Sequence, residues 1–169
     1  MISDEKLLDI YQLKNIVRYN TRQRLTDETV AEHSFFVALM SLMICDELGL
    51  SNDLKLRIII KSLLHDMPEI EINDITHDVK ERLNLRSLLE KYEIEYYENN
   101  FPKYVKLMKD DETIETAVMS LADILSVRQY ALHELELGNN SASMKKIAID
   151  AHDRVMFAQM KLDKILEGD

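Results

Sequence analysis

Three glycines and two prolines are all the glycine and proline in 169 residues, against ordinary usage of about 7% and 5%. So few chain breakers predict long helices joined by short loops, and the spacing of apolar residues agrees. Leu7, Leu8, Ile10, Tyr11 and Leu13 recur at helical spacing and predict a first helix over 4–16. A polar loop over 18–27 follows. Thr29, Val30, Ala31 and Glu32 match a capping box, in which Thr and Glu satisfy free backbone donors at a helix start. The second helix then runs to about Leu48 and stops at Gly49. From Phe35 to Cys45 only Ser41 is polar, so this helix is either central to the core or shared with a partner subunit.

A third helix over 54–64 ends near Met67-Pro68, because proline cannot continue the hydrogen-bond ladder. The loop 73–77 leads to a charged, tyrosine-bearing helix over 78–98, and 99–102 is a break. A fifth helix covers 112–137, closed by Gly138-Asn139-Asn140. The sixth covers 141–166. Its Met144, Ala148, Ala151, Val155, Ala158, Leu162 and Ile165 alternate four and three apart, a narrow packing seam. Nothing demands a β-strand. The expectation is an all-α fold: a single helical domain of about six helices over residues 1–169.

Lys+Arg 21 against Asp+Glu 31 gives a net charge of −10, which disfavours binding of polymeric nucleic acid. A small anionic substrate is compatible if basic residues gather locally. The single cysteine, Cys45, lies in the apolar second helix and reads as a core residue. It excludes an internal disulfide, which fits a reducing compartment. No signal peptide and no apolar run of about 18 residues is present, so a soluble, cytoplasmic protein without membrane contact is expected. The apolar second helix and the seam on the sixth point to a homodimer, although a buried core explains both. Nine scattered methionines read as core filler. His133 and His152 read as structural or surface residues.

Three places carry chemistry. Glu32-His33 opens the second helix, His65-Asp66 ends the third, and Asp123 interrupts Leu121-Ala122 and Ile124-Leu125. Ionised carboxylates in apolar segments are costly unless paired or bound to a cation. His65 and Asp66 are adjacent, about 100° apart around a helix, and can face one ion only near a helix end, which Pro68 supplies. Two imidazoles and two carboxylates suit one divalent ion of the Mn, Fe, Co, Ni or Zn class better than Ca. A metal held this way activates water as a nucleophile. Each residue alone reads as easily as a hydrogen-bonded core group; together they predict a metal-dependent hydrolase.

The order His33, His65-Asp66, Asp123 resembles the H…HD…D signature of the HD-domain phosphohydrolases, all-helical metal enzymes that cleave phosphate esters. Val30-Ala31-Glu32-His33-Ser34 resembles the first histidine motif of the bacterial HD-domain 5′-deoxynucleotidases (YfbR-like). Arg18 stands fifteen residues before His33, Glu69 three after Asp66, and Asp74 five after Glu69, all spacings of that branch. The resemblance covers roughly residues 7–140.

It implies that His33, His65, Asp66 and Asp123 hold the metal. Arg18 would hold substrate phosphate, Glu69 would work beside the attacking water, and Asp74 would contact the sugar hydroxyl. The residue types permit these roles. An arginine fork matches two phosphate oxygens, a carboxylate can move a proton, and an aspartate can accept from a sugar hydroxyl. Arg18, Arg22 and Arg24 lie within seven residues with no acid between them, so phosphate contact and a solvated loop are both open for the outer two. Tyr19 either stacks on a base or packs on the first helix, and Lys80 is a candidate for neutralising phosphate charge. Thr76-His77-Asp78 departs from the Thr-Pro segment of many relatives, which bears on sugar and base selectivity. Only His77 lies between Asp66 and Asp123, so one metal is expected rather than two. The implied reaction is hydrolysis of the 5′-phosphoester of a free deoxynucleotide, a monophosphate first. The alternatives are a deoxynucleoside triphosphate triphosphohydrolase and a non-catalytic helical binding module.

Overall fold

The computed structural model describes residues 4–109 and 112–168. Helix α1 (Asp4–Gln12) passes through a one-turn 3-10 segment, Leu13–Asn15, into a long loop. Then come α2 (Val30–Glu47), α3 (Asn52–Leu64), α4 (Glu69–Ile72), α5 (His77–Arg82), α6 (Arg86–Asn100), α7 (Val105–Met108), α8 (Ile114–Glu136) and α9 (Ala142–Glu167). Among the described residues no strand forms. A single antiparallel bridge joins Val17 to Thr29 and closes the base of the long loop.

The local signals act as their chemistry dictates. Thr29 accepts from the Glu32 backbone at 3.2 Å while the Glu32 carboxylate accepts from the Thr29 backbone at 2.8 Å, a complete capping box. Gly49 ends α2 at φ 62°, a left-handed conformation that L side chains resist. Ser51, Thr113 and Ser141 cap α3, α8 and α9 by accepting a backbone N–H. The helix expected over 78–98 is instead two, α5 and α6. The chain turns at Asn84, whose φ of 51° needs one of the few non-glycine residues tolerant of that region. The one-turn helices α4 and α7 were not expected either. The six helices of nine residues or more match the six expected.

Helices α2, α3 and α8 pack on one another, and α9 folds back along α8. Cys45, Ile58, Leu121 and Leu162, one from each of these helices, meet in the largest apolar cluster. The α9 seam lies in the core through Met144, Ala151, Ala158 and Leu162. Between α2 and α3 the buried hydroxyls of Ser41 and Ser62 share a 2.8 Å hydrogen bond, so small residues let the two backbones approach. Lys61 is 2% exposed, and its ammonium donates to the Leu107 carbonyl in α7 and to the Lys109 carbonyl just after it.

Three sequence expectations need correction or refinement. The apolar second helix is not buried all round: Val30, His33, Val37 and Cys45 face inward, while Phe35, Phe36, Leu39 and Met43 lie open. The methionines are not all core filler, since Met43, Met156 and Met160 are exposed, although Met67 and Met144 are buried; Met1 lies outside the described residues. His133 and His152 are surface residues. No helix among the described residues is long and apolar enough to cross a membrane.

Leu162 joins α9 to the other three helices and is 1% exposed. Leu162→Ala should destabilise the fold by about 2–5 kcal/mol, the range for emptying a buried leucine site. Urea unfolding followed by far-UV circular dichroism measures this. A single shifted transition is expected; an unchanged midpoint would mean that α9 contributes nothing to the core.

Candidate active site

His33 lies in the first turn of α2, directly behind the capping box, and is fully buried. His65 caps the C-terminus of α3, and Asp66 follows it. These adjacent residues reach one point because the α-helix ends there. Met67 donates to the Leu64 carbonyl at 3.0 Å and Glu69 to the Asp66 carbonyl at 3.1 Å, tighter turns than an α-helix makes. Tyr97 on α6 fixes that end, donating its hydroxyl to the Leu64 and His65 carbonyls at 2.7 and 2.9 Å. Asp123 comes from the middle of α8.

Ligand atoms of His33, His65 and Asp66 all lie within 4.8 Å of one another. His33 Nε2 is 3.1 Å from Asp123 and 3.6 Å from Asp66, and His65 Nε2 is 3.1 Å from Asp66. Asp123 thus reaches the cluster through His33. Both Nε2 atoms are buried and make no hydrogen bond. Their other ring nitrogens are held from behind: His65 Nδ1 donates to the Ser62 carbonyl at 2.8 Å, and His33 Nδ1 shares a 3.1 Å bond with Ser126 Oγ. A carbonyl can only accept, so the neutral His65 ring keeps its lone pair on Nε2. Outer hydrogen bonds of this kind orient metal-ligating histidines. The donor set fits a divalent ion.

Electrostatics agree. Burial alone would lower the His65 pKa, but the charge and contact of Asp66, with Asp123 and the Ser62 carbonyl, push it up to about 9. Burial would raise Asp123, yet the approach and charge of His33, with His65, hold it at about 2. Asp66 is driven far below the carboxylate range, against its burial, by His65, His33 and Arg18. A cluster that draws a proton onto a buried imidazole is one that favours a cation.

On one flank stands Arg18, buried, its Nη1 on Glu28 at 2.8 Å and its buried Nε without a hydrogen-bond partner. Its charge acts on Asp66 and Asp123. Tyr19 follows at φ 55°; its N–H donates to Asp74 at 3.0 Å and its ring stacks on Tyr130, centroids 5.2 Å apart. Glu69, the first residue of α4, is buried with Oε2 free of hydrogen bonds. Burial, then Asp66 and Asp74, raise its pKa well above the ordinary value despite Lys80 and Arg18. Arg22 and Arg24 point to other partners: Arg22 pairs with Asp78, and Arg24 with Asp27 at 2.6 Å. A cavity of about 290 Å³ opens beside His65 and Asp66, lined also by His77, Lys80, Arg86 and Glu93. Ser126 and Tyr97 gave no sequence signal, because each is defined by a partner far along the chain.

Removing Asp66 takes away an anchor of the cluster. The parent should purify with about one divalent ion per chain, and Asp66→Ala with almost none, by plasma mass spectrometry. Chelation should lower the melting temperature of the parent but not of the variant, because binding to the folded state alone stabilises it. Equal metal content in both proteins would overturn the metal-centre reading.

A family model described as HD domain matches residues 10–136. No curated protein matches the sequence. Among solved structures, an HD-domain phosphohydrolase from Listeria innocua is 21% identical, with a TM-score of 0.73, covering 96% of this chain and 85% of its own. The PH0347 protein of Pyrococcus horikoshii OT3 is 22% identical, with a TM-score of 0.78 and coverage of 98% and 97%. The cyanophage S-2L HD phosphohydrolase DatZ, bound to dA and one catalytic Zn²⁺, is 16% identical, with a TM-score of 0.66 and coverage of 97% and 98%. These three likenesses are likenesses of fold, whereas the family model spans three quarters of the sequence and includes all four candidate ligands. The chain belongs to the HD-domain family.

Proposed function

We propose that the protein is a 5′-deoxynucleotidase, converting a deoxynucleoside monophosphate to deoxynucleoside and phosphate with one divalent ion of the Mn, Fe, Co, Ni or Zn class, and that it works as a homodimer. The observation that carries the reaction is the convergence of unsatisfied buried groups: two imidazole Nε2 atoms, Arg18 Nε and Glu69 Oε2. Such groups are rarely left unpaired unless a ligand completes them. The dA and zinc in the cyanophage neighbour support a nucleoside-bearing substrate and a transition metal.

His33, His65, Asp66 and Asp123 hold the ion, which when bound lowers the pKa of water and polarises a phosphoryl oxygen. Arg18, fixed by Glu28, donates its free N–H to the substrate phosphate and offsets charge as it develops. Glu69, whose pKa burial and its acidic neighbours push up, delivers a proton to the departing 5′-oxygen. Asp74 accepts from the sugar hydroxyl, and Tyr19 offers a ring face to the base. Lys80 approaches from α5 and balances the phosphate from the cavity side. Arg22 and Arg24 are engaged by Asp78 and Asp27, which leaves one strong fork and favours a monophosphate. The 290 Å³ cavity beside Asp66 favours the second reading, a triphosphohydrolase, by giving room for further phosphates.

Incubation with matched mono- and triphosphates and Mn²⁺ or Co²⁺ separates the two. Release of inorganic phosphate from deoxynucleoside monophosphates is expected, with kcat lowered roughly 10²–10⁴-fold in Glu69→Gln while metal content is kept. Triphosphate as the released product would establish the second reading, and no turnover of any nucleotide would overturn both.

The dimer rests on the open apolar side of α2. Phe35, Phe36, Leu39 and Met43 on α2 and Leu56 and Leu63 on the adjoining α3 are between 44% and 62% exposed. Together they form the centre of a patch, around which an ordinary stable interface buries ~800 Å² on each partner. No charged side chain lies between Glu32 and Asp46 on α2, so two copies of a strongly acidic chain can meet there without apposing like charges. Light scattering during size exclusion should give a dimer for the parent and a monomer for Phe36→Glu/Met43→Glu. A monomeric parent at micromolar concentration would overturn the interface.

A further inference from the structure

Eleven residues beyond Asp123, near the C-terminus of α8, a second carboxylate is buried with no part in the metal cluster. Glu134 is 0% exposed. Its Oε2 accepts from the Leu25 N–H and from Asn139 Nδ2, both at 2.7 Å. Its Oε1 accepts from the Thr26 N–H at 2.7 Å and the Thr26 hydroxyl at 2.5 Å. An ionised carboxylate is acceptor-only, and here all four partners are donors, three of them from or beside one loop. Asn139 extends the grip by donating to the Gln23 carbonyl at 2.9 Å, and Tyr130 by donating its hydroxyl to the Thr26 carbonyl at 2.8 Å.

The gripped loop is the one that carries Arg18 and Tyr19. It leaves the Val17–Thr29 bridge, is held at residues 23–26 by α8, and returns through Glu28, whose carboxylate orients the Arg18 guanidinium at 2.8 Å. Beyond the Arg18 N–H bond to the Glu28 carbonyl at 2.9 Å the loop has no helical or sheet pairing, and at residues 25–26 the bonds to Glu134 and Tyr130 fix its path against α8. With about 1.5 Å of rise per residue, Glu134 stands some 16 Å along α8 from Asp123, too far to touch a reacting atom.

We infer that Glu134 is a positioning residue: it clamps the 23–26 segment to α8 and thereby sets Glu28 and Arg18 at the substrate phosphate. The helix that supplies Asp123 to the metal cluster thus also registers the phosphate arginine against it. This rests on the reading of Arg18 as the phosphate clamp, and the experiment keeps the two apart.

Glu134→Gln keeps the size of the side chain but sets an amide N–H against donors. It should lower kcat/KM for the monophosphate about 10- to 100-fold, the scale of a misplaced binding group, with metal content unchanged. The gentler Tyr130→Phe, which removes one loop bond and keeps the ring stack, should show a smaller loss of the same kind and carries the test if Glu134→Gln does not fold. The decisive readout is the cycle with Arg18→Ala. A clamp that acts through Arg18 costs little once Arg18 is gone, so the double variants should be no worse than about threefold below Arg18→Ala alone. Fully additive losses would show a general structural effect and overturn the inference. So would parental kcat/KM in both loop variants while Arg18→Ala is crippled, an outcome that leaves the phosphate clamp standing. Parental kcat/KM in Arg18→Ala would overturn the clamp itself and this inference with it.

Discussion

Carboxylates cannot be taken into a helical core without compensation, and the packing of α2, α3 and α8 takes in two at one point. Each helix brings a group that would be unfavourable alone. The α2 start contributes a histidine with no exposure, the α3 end contributes an imidazole and a carboxylate side by side, and α8 contributes the second carboxylate. The arrangement is held from outside by Ser126, the Ser62 carbonyl and the Tyr97 hydroxyl. Those contacts leave the inner nitrogens bare, and a positive charge is what the remaining lone pairs share. The helix-end geometry at 64–67 follows from this need, since two neighbouring residues in a regular helix would diverge.

Around that charge the protein places acids and bases unequally. Arg18 is balanced by Glu28 yet keeps a free N–H, so it is anchored without being satisfied. Glu69 sits between Asp66 and Asp74, where its ionisation would add a third negative charge to a buried volume. Two carboxylates three residues apart are therefore pushed in opposite directions: Asp66 down by two histidines and an arginine, and Glu69 up by burial and its acidic neighbours. Environments that push like groups apart in this way assign acid and base roles in hydrolytic sites.

Much of this was legible in the sequence because it is local. The capping box, the stop at Gly49 and the α9 seam each lie within a few residues of their cause. The order of His33, His65-Asp66 and Asp123 was legible as well, since apolar surroundings made each polar residue conspicuous. What stayed hidden is set by partners distant in the chain. Glu134 lies among His133, Leu135 and Glu136 on an ordinary charged helix end, and only the folded loop, 108 and 109 residues away, shows that it is buried. Arg22 and Arg24 look equivalent to Arg18 in sequence, but acids at 78 and 27 claim them. The residues around Asn84 are permissive of a helix, and its backbone alone records the turn.

The net charge of −10 adds a condition on how an anionic substrate can be held. A field of that sign repels phosphate at long range and does nothing to gather it, unlike the steering fields of basic clefts. Recognition must then come from groups that act over a few ångströms with little intervening water. A buried arginine with one free N–H and a cluster that demands a cation meet that condition, because burial lowers the screening that weakens surface charges. A long polyanion would have to lie along the acidic exterior to reach such a site, whereas a small ester can leave that surface and enter. The buried arginine and the acidic exterior are therefore complementary, the one offering a short-range contact and the other no long-range attraction.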